Sequence, residues 1–268
     1  MASGPKRFLI LSAPRTGSTL VQQALDSSPE IVCFGEIFNQ HLDFIDYHST
    51  NGYESNDQEI ASRADDPAGF LEQRIFSNQP PSGRATGFKL HYDHFWGFPG
   101  LVEALRDDHD LAVIHLRRRN ALRSLVSSKI VEETGVYFES AGSRSGPIAA
   151  IARTVRRAVP GRRQRARATV EISQDELRKF VVVEELTARH WEGEVFRDHE
   201  LQNVQYEDLV ADPSREFARI QSFLGVEPRD LAIRTARQNP QPLSVLIENY
   251  AELSEACRGT DLEWMLDG

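Results

Sequence analysis

The stretch FLILSAPRTGSTLVQQAL, Phe8 to Leu25, decides how the rest of the chain is read. Phe8–Leu11 is an unbroken apolar run of the kind that forms a strand buried on both faces. A Pro-Arg-Thr-Gly-Ser-Thr turn follows at Pro14–Thr19, and Ser18–Leu25 has a helical pattern. Strand, tight turn and helix together make an anion site, because the first amides of a helix have no partner within it and the helix dipole favours negative charge there. Gly17 allows close backbone approach. Ser18 and Thr19 add hydroxyl donors, and Arg15 adds a forked cation. The nucleoside-triphosphate loop reads G-x-x-x-x-G-K-[ST]. Here no Lys follows Gly17, and Ser12 or Ala13 stands near the place of the first Gly. Magnesium–triphosphate chemistry is disfavoured. A different anion, or an ordinary capped strand-to-helix turn, remains.

Working outward, Ile31–Phe34 reads as a second strand, and Ser49–Asp66, polar and punctuated by Asn-Gly and Asp-Asp-Pro, as a surface loop. Pro67–Phe76 reads as a helix with proline at its start. Ala85–His91 is a strand, Leu101–Arg106 a helix, Asp110–Arg118 (DLAVIHLRR) the clearest strand, and Asn120–Glu133 a helix. Gln174 to about Arg197 is a long helix, Val204–Pro213 a last strand with a turn, and Ser214–Val226 an amphipathic helix closed at Gly225. Alternation of strand and helix predicts an α/β fold with a P-loop-like, mostly parallel central sheet flanked by helices. Ligands of such sheets sit at the carboxyl ends of the strands.

The 268 residues fit one large domain, 40% hydrophobic and able to bury a sizeable core, with a mobile Arg-rich insertion at about 142–170. A formal net charge of −9 argues against a nucleic-acid partner held by bulk charge. Cys33 and Cys257 are too few and too far apart for a disulfide framework or a zinc site, and read as reduced thiols. The N-terminal apolar run is short for a signal peptide, and no run approaches the ~20 apolar residues of a membrane span. The expectation is a cytoplasmic protein.

A second signal lies in VIHLRRRNALRSLVSS, Val113 to Ser128. Arg119 ends the clearest strand and Ser127 lies about two helical turns further on, so both face one side and can clamp a second phosphate. Arg117 and Arg118 read as a solvated basic cluster. With the first loop, this pair resembles the sulfotransferases that use 3′-phosphoadenosine 5′-phosphosulfate (PAPS), and among them the bacterial carbohydrate enzymes of the trehalose and Nod-factor types. The resemblance continues through GEIFN (Gly35–Asn39), GFKL (Gly87–Leu90) and YEDLVADP (Tyr206–Pro213) and spans most of the chain. It implies that Arg15, Thr16, Gly17, Ser18 and Thr19 hold the 5′-phosphosulfate, that Arg119 and Ser127 hold the 3′-phosphate, and that Arg237, in a late segment closing over the nucleotide, assists. It implies PAPS as donor, no metal, and as acceptor a small molecule or a hydroxyl of an oligosaccharide or glycolipid.

Sulfuryl transfer needs the acceptor hydroxyl in line with the leaving oxygen, a base for its proton, and cations for the charge that develops. Arg15 and Lys89 supply the cations. Two residues compete as base. Glu36 follows the second strand, where the trehalose-type enzymes place a Glu, and GEIFN favours it. His91 is the rival: Lys89-Leu90-His91 has the Lys-x-His spacing of the phenol- and steroid-type enzymes, and a period of two puts both side chains on one face. His94, Phe95 and Trp96 follow directly and read either as an acceptor-site lining or as packing; Tyr206 reads as packing. The stretch Arg153–Arg167 is a solvated loop, a lid over an anionic acceptor, or a contact to an anionic membrane surface. The residues do not fix the oligomeric state, and a homodimer is compatible with them. Two other functions compete: a P-loop kinase or NTPase, which needs the missing Lys, and a non-catalytic nucleotide-binding module of the same fold.

Overall fold

The computed structural model describes residues 4–40, 57–77, 83–135, 169–234 and 238–267. Five strands, β1 (Lys6–Ser12), β2 (Ile31–Phe34), β3 (Ala85–His91), β4 (Leu111–Arg117) and β5 (Leu201–Gln205), form one sheet in the order β2-β3-β1-β4-β5. Every pairing is parallel. The α/β expectation therefore holds. Helices are α1 (Ser18–Asp26), α2 (Asp57–Asp65), α3 (Pro67–Phe70), α4 (Leu101–Asp107), α5 (Ala121–Thr134), α6 (Gln174–His190), α7 (Tyr206–Ala211), α8 (Pro213–Phe223), α9 (Leu243–Leu246) and α10 (Tyr250–Cys257).

The described residues divide into two compact units, residues 1–117 with 187–233, and residues 118–186 with 234–268. The sheet belongs to the first. Its two faces carry separate apolar cores, as the alternation of side chains along a strand requires. Leu9, Leu11, Phe34, Phe88 and Leu90 bury one way with Phe38, Phe98 and Trp191. Phe8, Ile10, Ile31, Cys33 and Ile114 bury the other way against Val21, Ala24 and Leu25 of α1 and Phe217 and Ile220 of α8. Gly87 is required by this second face: a Cβ there would lie 2.2 Å from the Phe8 carbonyl oxygen and 2.5 Å from its ring. Helix α8 ends in a Schellman turn, Val226 N–H to Gln221 O and Gly225 N–H to Ser222 O, with Gly225 at φ +70°.

The second unit has its own core, Leu122 and Val126 of α5 with Ile172, Leu246, Leu253 and Met265. Asn120 caps α5 by accepting from Arg123 N–H and donates to Met265 O.

Four readings of local structure change. Part of Ser49–Asp66 is helix α2, over Asp57–Asp65. An Arg fixes it: Arg63 is buried, donates to Asn39 O at 2.9 Å and stacks on the Phe98 ring. A polar composition hides such an anchor. The helix from Pro67 passes into a π-turn at Leu71–Phe76, and α6 stops at His190 before another at Trp191–Val195. The wider turns seat Phe76 and Trp191 in the core of the sheet. The last strand lies earlier, over Leu201–Gln205, and Tyr206 opens helix α7 instead of a turn. Both cysteines are buried thiols, and no disulfide joins them. Among the described residues no helix is long and apolar enough to cross a membrane. The Arg153–Arg167 stretch, most of the expected insertion, and Arg237 lie outside the described residues.

Candidate active site

The carboxyl ends of β1, β2 and β3 meet at the start of α1. Strand β1 ends at Ser12, opposite His91 in the ladder, and Lys89 stands opposite Ile10. The chain then turns through Arg15, at φ 65°, and Gly17, at φ 94°, into α1. Left-handed backbone at a non-glycine residue is uncommon and clusters at functional turns. Thr16 Oγ1 donates to Ala13 O at 2.8 Å and closes the loop on itself. The Tyr206 ring lies under the loop: a Cβ on Gly17 would stand 2.5 Å from Tyr206 Cδ2. Tyr206 is thus packing, as its sequence suggests, and it packs against the loop at 14–19.

Two hydroxyls of the α1 start face β3. Ser18 Oγ is 3.2 Å from His91 Nε2, and Lys89 Nζ donates to Thr19 Oγ1 at 3.0 Å. Lys89 Nζ also lies 2.8 Å from Glu36 Oε1. Lys89 and His91 share one face of β3, as the Lys-x-His spacing predicts. Glu36 follows β2 by two residues. Its Oε2 accepts from Asn39 Nδ2 at 2.7 Å and faces His94 Nε2 at 3.6 Å, while Oε1 lies 3.9 Å from His91 Nε2. The sequence-predicted residues of the first unit therefore come together in one cluster: the loop 15–19, Glu36, Lys89 and His91. His94, read from the sequence as acceptor-site lining or as packing, joins it, and so does Asn39. The spacing of GEIFN, three residues from Glu to Asn in a turn, is the signal that could have found Asn39.

The electrostatics follow from burial and from Lys89. Burial by itself pushes the Glu36 carboxyl up, but the Lys89 ammonium, with His91 and His94, outweighs it and holds the group well below the usual carboxylate range. Burial drives His91 down to about 3 against the pull of Glu36, with Lys89, His94 and Arg15 adding to the effect. His94 is also lowered by burial, against Glu36 and Asp93. At neutral pH Glu36 is therefore a carboxylate and His91 and His94 are neutral imidazoles.

Glu36, His91 and His94 offer ligand atoms within 4.8 Å of one another, a span that one cation could bridge. Two features oppose a metal. Lys89 already occupies the Oε1 side of the carboxylate. His94 Nδ1 accepts from His91 N–H at 3.3 Å, so a neutral His94 carries its proton on Nε2, the nitrogen that faces Glu36.

Arg119 and Ser127 lie in the second unit. Arg119 is exposed, next to the Asn120 cap, and Ser127 is buried on α5. Arg123, which the sequence did not single out, donates to Gln241 O at 2.6 Å and ties α5 to the segment before α9. Its buried position eight residues after His115 gives no sequence signal separate from the neighbouring arginines.

No protein-family model matches the chain. Nodulation protein H of Rhizobium tropici is 25% identical over 254 residues, which is 93% of this chain and 88% of that one. Nodulation protein H of Rhizobium meliloti strain 1021 is 26% identical over 255 residues, 93% of this chain and 90% of the relative. Among solved structures, a sulfotransferase from Alicyclobacillus acidocaldarius aligns over 99% of this chain and 97% of its own, with 14% identity and a TM-score of 0.47.

Proposed function

We propose that this chain, a member of the PAPS-dependent sulfotransferase family, moves a sulfuryl group from PAPS to a hydroxyl of a carbohydrate or glycolipid acceptor. The observation that carries the reading is the position of Lys89, within hydrogen-bond reach of the anion loop at Thr19 and of the carboxylate at Glu36. One cation thereby touches the donor side and the base side of a single reaction centre. The two phosphate motifs and a match running along 93% of the chain support the same family.

PAPS supplies the sulfuryl group and leaves as 3′-phosphoadenosine 5′-phosphate (PAP). Arg15 and the amides of residues 16–19 bind the 5′ end and take up the charge that grows on the leaving oxygen. From the resemblance, Arg119, Ser127 and Arg237 take the 3′-phosphate. The acceptor oxygen forms the new S–O bond as the old one breaks, and the acceptor proton passes to Glu36. Glu36 is held well below the usual carboxylate range by Lys89, and Lys89 and Asn39 fix its direction with His94 close to Oε2. Its basicity rises when an anion beside Thr19 draws the charge of Lys89 away from it. In a loose transition state the proton leaves late, so direction matters more than strength.

A second reading makes His91 the base. It rests on the neutral imidazole and its contact with Ser18 Oγ in the donor loop. Phe95 and Trp96 fit an acceptor lining: the rings stack with centroids 4.9 Å apart and Trp96 is 76% exposed. We place the enzyme in the cytoplasm, with no metal in the reaction. The test is an acceptor screen with labelled PAPS in the absence of divalent cations. Label on a sugar hydroxyl, lost in Glu36→Gln, supports the proposal; label transfer that requires ATP and Mg²⁺ returns the kinase reading.

A further inference from the structure

We propose that His94 is a positioning residue for this reaction: a fixed N–H donor, held in one tautomer by the backbone of His91, that keeps Glu36 Oε2 aimed and charged. The inference rests on the reading of Glu36 as the base. Three contacts lead to it. The His94 ring stacks on the His91 ring, with centroids 4.8 Å apart and an interplanar angle of 29°, which fixes its plane. Its Nδ1 accepts from His91 N–H. Its Nε2 faces Glu36 Oε2 at 3.6 Å, and the side chain is only 7% exposed.

The consequence is chemical. A neutral imidazole has one ring proton, and an accepting Nδ1 places it on Nε2. His94 then has no free lone pair, since Nδ1 is engaged and Nε2 carries hydrogen. It can neither relay the acceptor proton nor compete with Glu36 for it; it can only donate. At 3.6 Å Nε2 stands just outside hydrogen-bond reach of Oε2, so the donation this role needs requires the two groups to close by a few tenths of an ångström. The groups that face Glu36 are Lys89 and His91 from β3, His94 from the 3-10 turn His94–Gly97 and Asn39 from its own turn, with Asp93 and Arg15 acting on the two histidines. Removing the His94 donor leaves Lys89 and Asn39 in place, so Glu36 stays ionised near neutrality but becomes less acidic and freer to swing.

The test uses three variants of the full chain. His94→Phe keeps a stacking ring and removes both nitrogens. His94→Gln restores a donor near the Nε2 position. His94→Asn restores only an acceptor near Nδ1. Expected for the Phe variant are a kcat lower by about tenfold to a hundredfold, PAP affinity within about twofold of wild type, and an upward move of the Glu36 titration followed by carboxyl carbon NMR. The Gln variant should recover most of kcat and return the titration toward wild type, and the Asn variant should not. An unmoved titration in the Phe variant, or equal recovery by Asn and Gln, overturns the proposal. The titration needs no turnover. Failure of wild type to bind PAP would instead count against the sulfotransferase reading and leave the His94 result readable.

Discussion

Lys89 Nζ stands 2.8 Å from Glu36 Oε1 and belongs to both halves of the site, since it also donates to Thr19 of the anion loop. A buried ion pair alone is weak testimony for stability. Shared with the proposed anion loop, it would become a switch of charge: an anion bound at the loop would compete with Glu36 for Lys89. Lys89→Met should therefore raise the Glu36 pKa and lower kcat by about a hundredfold to a thousandfold, the range for losing one preorganised transition-state donor. Adding PAP to wild type should move the Glu36 carboxyl in the same upward direction. Carboxyl carbon NMR checks both, and a Glu36 titration that ignores PAP would separate the pair from the donor site.

Glu36→Gln keeps the shape of the side chain and can still accept from Lys89. We expect turnover to be lost, a drop of at least about a hundredfold if proton removal is general-base catalysed, with PAP binding retained. His91→Ala should cost less. The reverse order in steady-state kinetics assigns the base to His91.

Gly17 combines a φ of 94° with the Tyr206 ring close beneath it. Gly17→Ala should strain the loop by about 1–2 kcal/mol and weaken PAP binding by more than tenfold. Adding Tyr206→Ala relieves the clash but not the backbone, so stability recovers in part while binding does not. Thermal melts and calorimetry on the single and double variants distinguish the two effects.

Acid should destabilise the protein in a predictable window. His91 ordinarily titrates at 6.5 and in the folded chain at about 3. Between those values the unfolded chain binds more protons, so stability is lost as pH falls from 6.5 towards 3. The depressed Glu36 acts in the same direction below the ordinary carboxylate range. His91→Gln should melt with a shallower pH dependence over this window. His94 and His115, both lowered by burial, act in the same direction. A variant slope identical to wild type would show that His91 does not carry a depressed pKa.

Trp96 is backed by Phe95, which itself packs edge-on against the buried Trp191 with ring centroids 5.6 Å apart. One face of the indole is thus held and the other is exposed, as the proposed acceptor lining requires. Trp96→Ala should raise the acceptor KM by about tenfold and leave the PAPS KM within about twofold, taking one aromatic contact as about 1–1.5 kcal/mol. Equal effects on both constants would detach Trp96 from the acceptor.

Much of this site was legible because its chemistry is local. The loop at 14–19 announces itself by strand, turn and helix, and Lys89-Leu90-His91 by a period of two. Glu36 was found through its neighbours in GEIFN. What stayed hidden depends on distance along the chain. The contact of Tyr206 with Gly17 joins residues far apart, and nothing in YEDL names the glycine it lies beneath. The donor role of His94 rests on a backbone N–H of His91, which is a tautomer and not a residue pattern. Helix α2 was read as loop because its polar composition hides a buried anchor, Arg63, which donates to Asn39 O and stacks on Phe98.

The measurement that bears most directly on the central claim is calorimetric titration with PAP, without Mg²⁺, on wild type, Arg15→Ala and Arg119→Ala, with ATP as the comparison ligand. The account predicts tight, metal-independent binding of PAP, weakened at least tenfold in each variant, and little or no binding of ATP. Binding of ATP alone and only with Mg²⁺ would contradict it, because both anion sites would then have been assigned to the wrong nucleotide.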